Sequence, residues 1–269
     1  MLRKIKKAGA ILIIVMLLPY IVTKFMNGES VQTVQESILD EYCIDVLSKE
    51  VSSEYEDEML KAQAVIVRTS VYREIKNMNK NSIEESVEKI DLNQEWYQRL
   101  KNIWNETEGQ VLLYQNELAL LPFHQLSNGN TRSGQEVLGT DRYPYLQVKD
   151  CAKDVGADLQ MQTKIIEVSG VLIHSKDSAG YVTEVKVGEE SCTGEAFRDT
   201  YGLASSCFEV QGFDGRTRVI TKGIGHGLGM SQYTANEMAK EGKTHFEILQ
   251  YFFEGTEMKE VAEVLWDME

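Results

Sequence analysis

Lys222-Gly223-Ile224-Gly225-His226-Gly227-Leu228-Gly229-Met230-Ser231-Gln232-Tyr233 places one histidine among four alternating glycines and then turns into a helix pattern. Alternating glycines admit positive φ and let a bulky ligand approach the backbone. Ser231 is a good N-cap, Ala235, Met238 and Ala239 follow at helical spacing, and Gly242 is the stop. The spacing G-x-G-x-G-x-G is not the dinucleotide fingerprint, and no Lys-Ser/Thr of a phosphate loop follows. The second glycine of a nucleophile elbow is missing as well. A rigid turn presenting His226 beside a helix start reads as a site; a tight turn with an ordinary hydrogen-bonded histidine is the plainer alternative.

Working outward, the C-terminal part is helical. Thr244-His245-Phe246-Glu247 is a capping box ahead of Ile248, Leu249, Tyr251 and Phe252. Upstream, short runs rich in branched and aromatic residues are separated by turn signals and predict mainly antiparallel strands: 111–114, 119–124, 165–173, 181–187, 207–210 and 217–221. Helical periods precede them. Leu60, Ala64, Val67 and Val71 predict a helix over 57–75, residues 38–47 a shorter one, and 93–108 a third with Trp96, Leu100 and Trp104 on one side. Residues 77–91 read as an exposed loop. The fold class is therefore α+β, a sheet core between helical ends.

The chain opens on an apolar run, 8–23, behind Arg3, Lys4, Lys6 and Lys7. The basic flank predicts a cytoplasmic N-terminus and an extracytoplasmic remainder. The run is short for a span of about 20 residues, so a signal peptide competes. No clean small-x-small cleavage site follows, which favours an uncleaved signal-anchor. The expected organisation is a cytoplasmic stub and transmembrane signal-anchor over 1–27, a polar tether over 28–36, and one extracytoplasmic domain over 37–269. Residues 1–27 hold five basic side chains and no acid, so the rest carries −19 against −14 for the whole chain. That excludes a non-specific nucleic-acid binder. The four cysteines, Cys43, Cys151, Cys192 and Cys207, have no C-x-x-C spacing. Cys192 and Cys207 could pair outside the cell, although connectivity is not legible from sequence.

The glycine-rich block with the later Ile248-Leu249-x-Tyr251-Phe252-x-x-Gly255-Thr256 resembles the C-terminal signature of the stage II sporulation protein D family. Leu60-Lys61-Ala62-Gln63-Ala64-Val65-x-x-Arg68-Thr69 matches a second block of that family, in the family's order. Weaker echoes lie between: Thr107-x-Gly109-x-Val111-Leu112-x-Tyr114, Phe123-His124-x-x-Ser127-x-Gly129-x-Thr131 and Pro144-Tyr145-Leu146. The resemblance covers roughly residues 35 to 258.

It implies a lytic transglycosylase acting on peptidoglycan strands stripped of stem peptides, during engulfment in sporulation, with no cofactor. The sequence holds no H-E-x-x-H, H-x-x-E-H or paired His at helical spacing, so no bound metal is expected. The family's acid is a glutamate shortly before the Leu-Lys-Ala-Gln helix. The interval lands on Glu50, with Glu54 the alternative because Val51-Ser52 stands where relatives have Met-Pro. Lys61, Gln63, Arg68, His124, Ser127, His226, Ser231 and Gln232 fall on motif positions and become candidate substrate contacts. Arg68 has a second reading as the partner of a structural carboxylate, and His124 as a strand-end histidine satisfied by backbone. Some relatives recruit cysteines after the histidine matching His124, but none occurs from Gln125 to Asp150. The implied partners are a stage II sporulation protein P-type amidase and associated engulfment membrane proteins. A non-catalytic glycan-binding scaffold, or amidase enhancer, is the competing member of the same family.

A carboxyl that donates a proton near neutral pH needs surroundings that raise its pKa, so the acid is expected in an apolar setting.

Overall fold

The computed structural model describes residues 39–77 and 93–261. The expected membrane segment, the tether and most of the expected 77–91 loop lie outside them. Among the described residues no helix is long and apolar enough to cross a membrane.

Residues 39–50 are helical (α1). Ser48, Lys49 and Glu50, expected in the following loop, are instead its last turn. Helix α2, Asp57–Asn77, is the centre of the molecule. It is buried all round from Met59 to Thr69 except at Lys61, the pattern of a core helix rather than a surface one. It packs on α3 (Gln94–Glu106), α6 (Gln232–Lys240), α7 (His245–Phe252) and strand β1 (Gln110–Tyr114). Thr69 ties helix to strand, since its hydroxyl accepts the Leu112 N–H at 3.0 Å. Strand β1 pairs antiparallel with β2 (Glu117–Leu118) and with β11 (Glu257–Glu260). The capping box at Thr244 and Glu247 forms in full.

A second region is β-rich. Strands β4 (Met161–Ile166), β9 (Arg216–Lys222) and β8 (Phe208–Phe213) make one antiparallel sheet in that order. Strands β5 (Val171–Lys176), β6 (Val182–Val187) and β7 (Glu190–Thr193) make another. With helix α5 (Gly194–Tyr201) they bury Ile166, Val182, Val185, Phe197, Phe208 and Val219. The single strand expected over 165–173 is in fact two, β4 and β5, separated by a turn at Gly170 with φ +70°. Its apolar residues belong to different sheets, which alternation alone does not reveal. Of the run expected over 119–124 only β3 (Phe123–His124) is strand, and it pairs parallel with β10 (Met230–Ser231), against the antiparallel trend. Helices α5 and the short α4 (Gly134–Leu138) were not expected; α5 carries only two apolar positions on its buried side, too few to show a period. All four cysteines are free thiols, so Cys192 and Cys207 do not form the pair considered from the sequence.

Candidate active site

The last carbonyls of a helix have no partner within it. At the end of α1 the Glu50 carbonyl accepts a hydrogen bond from the Gln232 side chain, Nε2, at 2.8 Å. The same Nε2 donates to Gln63 Oε1 at 3.2 Å. Three residues from the two ends of the chain thus meet, through the first turn of α6 and the buried middle of α2. Gln63 is fully buried, and its own Nε2 has no partner. An unpaired buried donor is costly. The Glu50 carboxyl itself is exposed, so the apolar setting expected for the acid is not formed by the chain alone.

The loop after Glu50 is braced from outside. Arg99 of α3 donates to the Ser53 and Tyr55 carbonyls, each at 2.7 Å, and also binds Asp57. Asn236 of α6 accepts the Glu56 N–H at 2.8 Å. Glu54 is exposed within this loop, and only its backbone N–H is held, by Ser52.

Gln232 is placed by a buried carboxylate that sequence reasoning missed. Asp154, with no exposed surface, accepts from Ser231 Oγ (2.7 Å), Thr234 Oγ1 (2.6 Å) and Ser127 N–H (2.7 Å). Ser231 is the N-cap of α6, as its position in the sequence suggested. Asp154 sits in a 3-10 turn, Ala152–Gly156, within a run that reads as a surface turn, so no local signal marked it. Ser127 is buried, and its hydroxyl accepts the Gly129 N–H at 3.0 Å.

The glycine block threads between β3 and the β-rich region. Gly223, Gly225, Gly227 and Gly229 all have positive φ. The space above them is taken by the chain itself: a Cβ at Gly227 would run into the Tyr181 ring, and one at Gly229 into the Pro122 carbonyl. Close approach is therefore required here by packing, not by a ligand. His124 and His226 face each other with ring centroids 5.9 Å apart. His124 is buried, with Nδ1 3.2 Å from the Leu228 carbonyl. That bond assigns the proton to Nδ1 and leaves Nε2 as a buried acceptor without a partner. Burial, with help from His226 and Arg132, pushes its pKa down to about 3 against the pull of the Leu228 carbonyl. His226 accepts the Leu228 N–H at Nδ1, 3.1 Å away, and burial lowers its pKa too. Both rings are neutral at neutral pH.

Two candidates stand apart. Lys61 pairs with Glu58 and Glu106, each at 2.8 Å, and Glu58 in turn receives His245. Although burial opposes it, the bonds from Lys61 and His245 pull Glu58 down to about 2. Arg68 is buried over the Trp104 ring, 3.7 Å from its centroid, and donates to the carbonyls of Thr107 (2.6 Å), Trp104 (3.1 Å) and Gln110 (3.3 Å). Its partners are carbonyls, not the carboxylate considered from the sequence, and the structure does not bring it to Gln63 and Gln232. Among the described residues no group of three or more His, Cys, Asp and Glu side chains is arranged to hold a metal.

Of the motif residues, Gln63 and Gln232 meet at the Glu50 backbone, Ser127 and Ser231 share Asp154, and His124 and His226 lie at the glycine block, whereas Lys61 and Arg68 do not join them. Comparison with known proteins agrees. The stage II sporulation protein family model matches residues 27–114. A stage II sporulation protein D of Bacillus amyloliquefaciens is 31% identical over 267 residues, covering 87% of this chain and 77% of that protein. The chain belongs to the stage II sporulation protein D family. Its counterpart in Bacillus subtilis is also 31% identical, over 85% of this chain and 76% of the relative. An uncharacterised protein of Brachyspira hyodysenteriae is 27% identical over 86% of this chain and 69% of its own length. Membership makes this a sporulation-related protein.

Proposed function

We propose that this protein is a lytic transglycosylase that cleaves the MurNAc–GlcNAc bond of peptide-free glycan strands, with Glu50 as its single acid and base. The observation that carries the reading is the Gln63–Gln232–Glu50 chain. It fixes the backbone at the end of α1 against two motif residues, while the Glu54 backbone is held only through its N–H, by Ser52. In this reaction the Glu50 carboxyl donates its proton to the glycosidic oxygen as the bond to C1 breaks. The carboxylate so formed accepts the proton of the muramyl C6 hydroxyl, whose oxygen closes on C1. The product is a 1,6-anhydro end, and no water is consumed. One carboxyl suffices because the nucleophile is intramolecular and already positioned, whereas an ordinary glycosidase needs two. Glu50 is exposed in the free chain, and the bound glycan covers it.

The setting we propose is the engulfing membrane of a sporulating cell, with the N-terminal segment as anchor. A stage II sporulation protein P-type amidase supplies the stripped strands, alongside other engulfment membrane proteins. The exposure of Glu50 favours one second reading, a glycan-binding scaffold or amidase enhancer without cleavage. Mass spectrometry of peptide-free strands decides between them. The native chain is expected to yield 1,6-anhydro ends, and Glu50→Gln to lose about 10²–10⁴-fold in rate while still folding. If Glu54→Gln is inactive and Glu50→Gln active, the acid is misassigned. If the native chain makes no anhydro product, the scaffold reading takes over.

A further inference from the structure

Two cavities lie side by side at the far end of α2 and share the Tyr143 side chain. The first, about 290 Å³, is walled by Arg73 and Lys76 of α2, by Arg142, and by the rings of Tyr114, Tyr143 and Tyr145. Glu117 is the one carboxylate on its lining, so cations outnumber acids there in a chain of formal charge −14. Lys76 leans toward Glu117 at 3.8 Å. Among the described residues neither Arg73 nor Arg142 has a carboxylate within ion-pair distance. Arg73 donates to the Tyr143 hydroxyl at 3.3 Å, and Arg142 lies 5.7 Å from the centre of the same ring. Tyr143 therefore contacts both guanidinium groups. A guanidinium offers paired N–H donors that match a carboxylate, and the tyrosine rings offer flat apolar surface to a sugar. The second cavity, about 280 Å³, is lined by the neutral polar side chains of Ser133, Gln135, Thr140 and Gln147. Its acid, Asp141, is already occupied by the Gln135 amide at 2.6 Å. The order across Tyr143 is thus a cavity with three cations, then one with a single acid and no cation.

We infer that these cavities are a remote glycan subsite, binding a muramyl sugar by its free lactyl carboxylate at Arg73 and Arg142, with the adjoining neutral sugar in the second cavity. This rests on the proposed substrate and says how stripped strands are selected. When an amidase removes a stem peptide, water cleaves the amide on the lactyl group. A carboxylate is left where the intact strand has a neutral amide. The cationic cavity reads that change of charge. Gln63 and Arg73 are separated along α2 by about 15 Å at 1.5 Å per residue, so selection occurs away from the Glu50 end.

The test is titration of the full chain carrying Glu50→Gln with N-acetylmuramic acid, its lactyl amide, N-acetylglucosamine and inorganic phosphate, each alone. The sugar acid is expected to bind, and the amide and N-acetylglucosamine to bind at least about tenfold more weakly. Arg73→Gln and Arg142→Gln are each expected to weaken the sugar acid by about tenfold, as loss of a charged hydrogen bond does. Arg142 is exposed, so its variant folds and keeps the test meaningful. Equal binding of acid and amide, indifference to both arginine variants, or phosphate binding as tightly as the sugar acid would each overturn the inference. The two readings separate in the outcome. If the native chain leaves stripped strands uncleaved while arginine-dependent binding stands, the cleavage proposal fails and the subsite survives. If strands are cleaved but binding ignores both arginines, the subsite fails alone.

Discussion

The region around α2 and the β-rich region each turn on one buried arginine, and the two are compensated differently. Arg68 and Arg132 are 3% and 4% exposed. Arg68 hydrogen-bonds and stacks only with neutral groups: three backbone carbonyls, the Thr107 hydroxyl and the Trp104 ring. Arg132 meets two carboxylates, Asp177 at 2.6 Å and Glu195 at 2.8 Å, besides the His226 carbonyl at 3.0 Å. Arg68 therefore stitches the end of α3 and the start of β1 to α2 within one core. Arg132 clamps the β5–β6 turn and α5 of the β-rich region to the glycine block. The lesson is that a motif arginine beside a candidate site can be wholly occupied by backbone, while an arginine outside every quoted motif holds the site's two halves together.

The largest effect expected from this contrast is at Arg132. Arg132→Met strands the Asp177 carboxylate, itself only 1% exposed, and is expected to cost about 3–5 kcal/mol. Chemical denaturation gives the value. Adding Asp177→Asn should recover part of it, because the stranded charge is removed while the amide oxygen still accepts from Ala179 and Tyr181. No recovery would mean that the carboxylate is not what makes the site sensitive. Arg68→Met leaves no charge behind, only carbonyls without donors. Its expected cost is smaller, about 1.5–3 kcal/mol. A loss equal to that of Arg132→Met would break the comparison.

An effect seen only on acidification comes from His124 in the joint between the regions. Its folded pKa is lowered to about 3 from an ordinary 6.5. The unfolded chain takes up a proton below about 6.5 and the folded chain does not, so stability falls as pH drops from 6.5 toward 3. His124→Asn is expected to flatten that part of the stability–pH curve in urea titrations. An unchanged slope would show that the ring is not held neutral by burial.

Much of the fold was legible because it is written locally. The α2 helix, the Ser231 N-cap, the Thr244 capping box and the strands β1, β6 and β9 follow from periodicity and turn chemistry within a few residues of each position. The family motifs marked Gln63 and Gln232, and the structure joins them. The sequence does not show that Glu50 belongs to α1, since a helix ends where its last carbonyl finds a partner, and that partner is Gln232, far along the chain. Nor does it show the purpose of the four glycines. Positive φ is suggested by composition, but that Tyr181 and Pro122 occupy the space above them is a matter of packing.

What the sequence alone determined, then, is the α+β class, the acidic character, the membership suggested by two distant blocks, and the set of side chains available for chemistry. These depend on spacing and composition, which are properties of the chain itself. Only the tertiary structure decided which of those side chains remain free. Asp154 became the anchor of α6, and Arg68 and Lys61 were taken up by partners from other elements. Gln63 kept an unpaired donor. Hydrogen-bonding capacity is settled by which groups meet in space, and the groups that meet here lie up to 187 residues apart.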